Sequence, residues 1–285
     1  MSTSPAVMVG TFAVGVGAGV LSGMFGVGGA VLTTPGIRAL GASPIHAVGS
    51  TVPPILPGAV SGTWRYSRSG LVNWRVGLVC GAAGTVLAIA GAWVSDVIDG
   101  HLLMLLTAAL LLYTGISTFV RARREVHDPV DADGPEADVE TGPRLAAGDD
   151  PVVLRAAATH PYGIGRLTAV GAASGLTAGL LGVGGGVVMM PVFTQLLKMP
   201  MKVAVASSLV AVAIFSVPAL VTHTVLGHVD WTFSLLLVAG AVPGAQIGSR
   251  VTIGASDRLV RLLFGAFLMV LALVYGGAEV ASLGS

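Results

Sequence analysis

The chain has 285 residues, 54% hydrophobic and 10% charged, with a mean hydropathy of +0.86 and a formal net charge of +1. So few charges cannot cover a soluble domain of this length, so an all-α polytopic membrane protein is expected and a nucleic-acid-binding module is excluded. A single cysteine, Cys80, excludes an intrachain disulfide and a cysteine-based metal cluster.

Residues 1–5 carry no basic run, so the first apolar segment reads as a retained helix and not as a cleaved signal. The predicted apolar segments of the first part are 6–25, 28–40, 44–63, 76–94 and 102–120. Residues 125–151 then hold nine of the fourteen acids and one basic residue, Arg144. Rich in Pro, Gly and Asp and lacking aromatics, they predict an acidic disordered linker over 125–160. The linker separates a first transmembrane repeat, 1–124, from a second, 161–285, with apolar segments at 167–181, 184–197, 203–222, 233–251 and 259–275. The remaining acids, Asp96, Asp99, Asp230, Asp257 and Glu279, all fall at segment ends.

The case for two repeats rests on a written duplication. Gly26-Val27-Gly28-Gly29-Ala30, followed by Pro35, returns 156 residues later as Gly182-Val183-Gly184-Gly185-Gly186, followed by Pro191. Downstream, Ser50-Thr51 matches Ser207-Ser208, and Gly70-Leu71-Val72-Asn73-Trp74 matches Gly227-His228-Val229-Asp230-Trp231. Each glycine weakens a helix by about 1 kcal/mol relative to alanine, so a Gly-rich broken helix is expected in each half. Inside a bilayer, irregular backbone persists only where it is buried in protein or lines a wet cavity, and paired interruptions in two halves point to a transport site.

This duplicated Gly-Val-Gly-Gly-[Ala/Gly] motif with its downstream proline, in halves that each end in a long apolar helix, resembles the sulfite exporter TauE/SafE family. The likeness covers nearly all of the chain outside the linker, with Ala30 standing where the second copy has Gly186. The resemblance implies a transporter of sulfite, sulfonates or related organosulfonates in the cell membrane, with no cofactor.

The second segment of each half is too short for a bilayer, since fourteen residues make a helix of about 20 Å against a hydrocarbon core of about 30 Å. If it re-enters, each half has four spans; if it crosses, each has five and the halves are inverted. Placing Arg65, Arg68, Arg75 and Arg121 to Arg124 in the cytoplasm puts Lys198, Lys202, Arg250, Arg258 and Arg261 there too when the halves are inverted, and leaves only Arg38 outside. About 8–10 transmembrane segments are therefore expected, as inverted repeats with both termini outside and the linker cytoplasmic.

A helix starting at either Gly knot exposes unpaired N–H groups and the positive end of its dipole, which bind an oxyanion without a charged side chain. The expected substrate site is Gly26, Gly28 and Gly29 from one half with Gly182, Gly184, Gly185 and Gly186 from the other. The competing reading of these glycines is close helix packing. Ser50, Thr51, Ser207 and Ser208 are expected near the pseudo-symmetric centre, and Gln246 is a mid-span amide that needs a partner. Thr33-Thr34 faces Met189-Met190 as counterpart, so the two halves contribute differently. His46 and Lys202 occupy matching places as interface residues or as an anion lead-in, and Pro53, Pro54, Pro57, Pro218 and Pro243 are expected to bend their segments.

A nucleotide-binding enzyme does not fit, because neither knot completes G-x-G-x-x-G or runs on to Gly-Lys-Ser/Thr. A metal permease would place carboxylates or clustered histidines in mid-membrane, and the six histidines show no metal-ligand spacing. What stays open is carrier against anion channel, a sulfur against a non-sulfur organic anion, and whether the chain forms a homo-oligomer in the bilayer. Reporter fusions at residues 1, 140 and 285 test the topology: the two ends are expected outside and the linker inside. A cytoplasmic C-terminus would restore four spans per half.

Overall fold

The computed structural model describes residues 4–41, 44–95, 100–124, 149–181 and 185–283. Within them the chain forms twelve helices: α1 (Pro5–Phe25), α2 (Ala30–Ala39), α3 (Pro44–Ser50), α4 (Ile55–Arg68), α5 (Trp74–Ser95), α6 (Gly100–Arg124), α7 (Pro151–Thr159), α8 (Ile164–Leu181), α9 (Gly185–Gln195), α10 (Met201–Val225), α11 (Trp231–Gly254) and α12 (Asp257–Leu283). Five stretches are long and apolar enough to cross a membrane, namely α1, Trp74–Gly91 of α5, Leu105–Arg123 of α6, α10 and α11. The chain is thus an all-helical, multi-pass membrane protein.

Local chemistry sets the helix ends. Ser4 accepts a hydrogen bond from the Val7 N–H and Pro5 opens α1, whereas Gly26, in the left-handed region, closes it by donating to the Ser22 carbonyl. Asp230 caps α11, its Oδ1 accepting the Thr232 N–H at 2.9 Å. The segment expected over 44–63 divides into α3 and α4, because Pro53 and Pro54 cannot donate backbone hydrogen bonds and Pro54 becomes the cap of α4. Pro218 and Pro243, by contrast, lie inside unbroken α10 and α11. The end of the expected linker is ordered: Asp150 caps α7, which buries Leu154, Ala157 and Ala158. Residues 125–148 lie outside the described residues.

Helices of the two parts are interleaved. α1 packs on α11, and its counterpart α8 packs on α5; α4 packs on α11 and α10 on α5; α6 and α12 pair with each other, as do α4 and α10. At the centre, α10 is buried at every position from Met201 to Val212, which accounts for its being apolar on all sides there.

Glycine sets the two tightest pairings. A Cβ on Gly15, Gly19 or Gly23 of α1 would run into the backbone of Leu237, Ala241 or Ala245, and Gly240, Gly244 and Gly248 of α11 face the α1 backbone in return. In the symmetric pairing, a Cβ on Gly171 would lie 2.6 Å from Cys80 Cα. Small residues at four-residue spacing let backbones touch, and in lipid this replaces a hydrophobic drive between helices.

Gly19→Val places branched carbons where Ala241 Cα lies 2.8 Å from the first added atom. It is expected to cost about 1–3 kcal/mol of stability, read as a lower unfolding midpoint in detergent. Gly165→Ala, with nothing within 4 Å, should melt like the parent. Equal melting of both variants would refute the interlock.

Candidate functional site

The first Gly knot is the turn between α1 and α2. Gly26 and Gly28 adopt φ values of 67° and 79°, which side chains with a Cβ rarely take, so the reversal from one helix to the next requires glycine at both. α2 then starts from Gly29, whose carbonyl accepts the Thr33 N–H at 3.0 Å. With ten residues α2 spans about 15 Å, so its N-terminal end is sunk beneath the membrane surface if its other end reaches one face.

The second knot meets the first. Gly186, in the first turn of α9, lies so close that a Cβ there would strike the Gly26 carbonyl oxygen and come within 2.6 Å of Val27 Cα. Gly185 is the first residue of α9, while Gly182 and Gly184 lie outside the described residues. α10 closes one side: Ser208 Oγ donates to the Gly26 carbonyl at 3.1 Å and lies 2.9 Å from the Val205 carbonyl, and Val212 stands 3.3 Å from where a Gly28 Cβ would be. The starts of α2 and α9 are thereby brought to one junction, and every side chain named around it is uncharged. A small cavity beside Gly28 and Gly29, walled by Ala18, Leu21, Val31, Leu32 and Phe267, holds about one water molecule, so the knot is closed in this conformation.

The four predicted hydroxyls divide by role. Ser50 Oγ accepts the Asp230 N–H at 2.8 Å, and Ser207 Oγ accepts the Asn73 N–H at 3.0 Å. These are one contact made twice, each serine holding the start of a helix from the opposite part. Asn73 extends it by donating from Nδ2 to the Ala157 and His160 carbonyls, which docks α7. Ser50 and Ser207 are therefore engaged in holding helices. Thr51 and Ser208 sit one residue further on; Thr51 Oγ1 is 3.3 Å from Thr34 Oγ1, and Ser208 touches the knot itself. Gln246 lies apart from the knots, donating to Ser61 Oγ at 3.0 Å and tying α11 to α4.

Lys202, expected as an interface residue or an anion lead-in, is buried and held by an ion pair. Its Nζ forms an ion pair with Asp149 at 3.0 Å and donates to the Ile253 carbonyl, and its backbone N–H donates to Asp257 Oδ1. Arg261 binds the other oxygen of Asp257 at 2.9 Å. This network, buried at Lys202, Asp257 and Arg261 and half exposed at Asp149, fastens the end of the acidic stretch to α10 and α12, and hydropathy and composition did not reveal it. The i,i+4 spacing of Asp257 and Arg261 was its one visible sign. The side chains of Arg38 and Pro35 lie outside the described residues.

Residues 11–275 match the family model described as sulfite exporter TauE/SafE. The chain is similar to the "Probable membrane transporter protein YunE" of Bacillus subtilis, 26% identical over 274 residues that cover 90% of this chain and 94% of that one. A "Probable membrane transporter protein" of Xylella fastidiosa is 26% identical over 255 residues, 88% of each chain. No solved structure matches.

Ser207→Ala leaves the buried Asn73 N–H without its acceptor and is expected to cost about 1–3 kcal/mol of stability. The folded fraction should keep its affinity for substrate. Gly28→Val should instead abolish transport in a protein that still inserts. Thermal unfolding and vesicle flux on the two variants check both, and normal transport by the Gly28 variant would remove the knot from the site.

Proposed function

Because the chain belongs to the sulfite exporter TauE/SafE family, whose curated relatives carry the name of membrane transporters, we propose that it exports a small sulfur-containing anion, such as sulfite or an organosulfonate, across the cell membrane. The observation that carries this reading is the contact of Gly186 with Gly26 and Val27, which brings two short helices to one junction by their N-terminal ends. Backbone N–H groups and the positive ends of two helix dipoles offer an oxyanion several hydrogen bonds with no fixed cation, so binding is reversible. The substrate site in this reading is Gly26, Gly28 and Gly29 with Gly182, Gly184, Gly185 and Gly186, flanked by Thr51 and Ser208. In it the protein performs no catalysis.

The exchange of partners between parts, α1 on α11 and α8 on α5, supports two inverted repeats with a broken helix in each. In this reading the basic residues counted above favour both termini outside and the linker in the cytoplasm. The anion then passes between the repeats.

Direction follows from charge. With the inside negative, moving one negative charge outward is favoured by about 2.3 kcal/mol per 100 mV, about fiftyfold in the equilibrium ratio. All acids beyond 125–151 fall at segment ends, which supports export driven by the membrane potential without a proton carrier.

In proteoliposomes loaded with sulfite, efflux is expected to rise with an inside-negative potential set by potassium and valinomycin, to saturate, and to ignore an imposed pH gradient once substrate protonation is corrected for. Efflux that tracks the pH gradient and ignores voltage would overturn the mechanism. Non-saturating flux would mark an anion channel, and efflux only of carboxylates would mark a carrier of non-sulfur organic anions.

A further inference from the structure

The corner between α10 and α11 holds two imidazoles that neither the packing nor the transport reading uses. It is a Schellman turn: the His228 N–H donates to the His223 carbonyl at 3.0 Å and the Gly227 N–H to the Thr224 carbonyl at 3.1 Å, with Gly227 at φ 70°. Such a turn sets the side chains of its first and last residues against each other, where an apolar pair commonly seals it. The end of α4 builds the same turn from Tyr66, Ser67, Gly70 and Leu71, with the Leu71 N–H on the Tyr66 carbonyl at 3.2 Å and Gly70 at φ 69°. There the pair is the usual one, since Tyr66 and Leu71 are both buried. The corresponding places in the second turn are His223 and His228.

Their ring centroids are 5.5 Å apart at an interplanar angle of 57°. The Nδ1 atom of each ring is buried and has no hydrogen-bond partner. Unsatisfied buried nitrogens are destabilising, and two on adjacent rings share one remedy. We propose that His223 and His228 form a two-imidazole binding site for a divalent transition-metal ion of the Zn²⁺ or Cu²⁺ class.

The geometry suits that ligand. Two imidazoles each about 2.0–2.1 Å from one tetrahedral ion have centroids about 5 Å apart. The site lies on the last turn of α10, where the negative end of the helix dipole favours a cation. The backbone that carries the second imidazole is held by α3: the His228 carbonyl lies against Gly49, and the Asp230 N–H is bound by Ser50 Oγ at 2.8 Å. Among the described residues no group of three or more His, Cys, Asp or Glu is placed to hold a metal, so the described residues supply the proposed site with two protein ligands. A site of this kind binds more weakly than a closed four-ligand zinc centre.

Full-length protein carrying no polyhistidine tag, in detergent, is titrated with Zn²⁺ by calorimetry and with Cu²⁺ by electron paramagnetic resonance. One Zn²⁺ per chain is expected, with a rise in the unfolding midpoint, and Cu²⁺ should show coupling to two imidazole nitrogens. His223→Ala and His228→Ala should each weaken Zn²⁺ binding by at least about tenfold and leave coupling to one nitrogen. The double variant His223→Tyr/His228→Leu copies the pair at the end of α4, so it should fold and lose the metal. No Zn²⁺ uptake by the parent at about 1 mM would overturn the site, as would uptake that survives unchanged in the single variants.

Discussion

The contact of backbone on backbone between α1 and α11 governs the rest of the structure. Lipid tails are as apolar as leucine, so helices in a bilayer gain little by hiding apolar side chains from them, and close van der Waals approach takes over as the drive. Gly15, Gly19 and Gly23 supply that approach on one side and Gly240, Gly244 and Gly248 on the other. The α1 row leads straight into Gly26, so the same packing that joins the helices also sets the depth and direction at which the chain leaves α1. Thr252 fastens the far end by donating to the Met24 carbonyl at 3.1 Å. Because the partner helix lies in the other part of the chain, neither part can assemble its core alone.

The polar contacts follow the same rule of exchange. Ser50 with Asp230 and Ser207 with Asn73 each tie a helix of one part to a helix start of the other; Ser50, Ser207 and Asn73 are buried and Asp230 is partly so. A buried N–H left without an acceptor is costly, so each contact fixes where a helix begins to within a residue. The network of Asp149, Lys202, Asp257 and Arg261 does the equivalent work with charges at the Lys202 end of α10. Losing Arg261 would leave the buried Asp257 carboxylate without its ion pair, and losing Asp149 would do the same to the buried Lys202 ammonium, so the half-exposed Asp149 is held to the bundle although the acidic stretch before it has the composition of a solvated linker.

Composition alone showed a membrane protein, and the first Gly-Val-Gly-Gly run marks the turn between α1 and α2. Those signals were legible because they are local: hydropathy and glycine content act on the segment that carries them. The Gly15 to Gly23 row was equally present in the sequence, but its meaning depends on Gly240 to Gly248, more than two hundred residues away. The helix-holding contacts of Ser50 and Ser207 were hidden for the same reason, since their partners become visible only when the chain is folded. The helix over 151–159 was hidden beneath the acidic composition around it, although Asp150-Pro151 is itself an N-terminal capping signature. The division of 44–63 into two helices was foreshadowed by Pro53 and Pro54, whose effect was underestimated as a bend.

The two parts differ in how they are built at the junction. Around the junction, α10 runs unbroken past Ser207 and Ser208, whereas its counterpart stops at Ser50 and resumes at Ile55. Between them, Thr51 to Pro54 lack the regular helical ladder, because two successive prolines bring no N–H. Displacing α10 means moving a helix buried on every side from Met201 to Val212, against close packing and ion pairs. Displacing α4 relative to α3 requires rotation about a few residues that already lie outside a helix. Thr34 and Thr51 line this softer side, where Met190 and Ser208 stand opposite by the repeat, with Met189 and Met190 fully buried. Motion that opens the junction therefore meets the smaller resistance at the first knot, where Gly26 and Gly28 already hold the turn in conformations that tolerate large changes of φ and ψ.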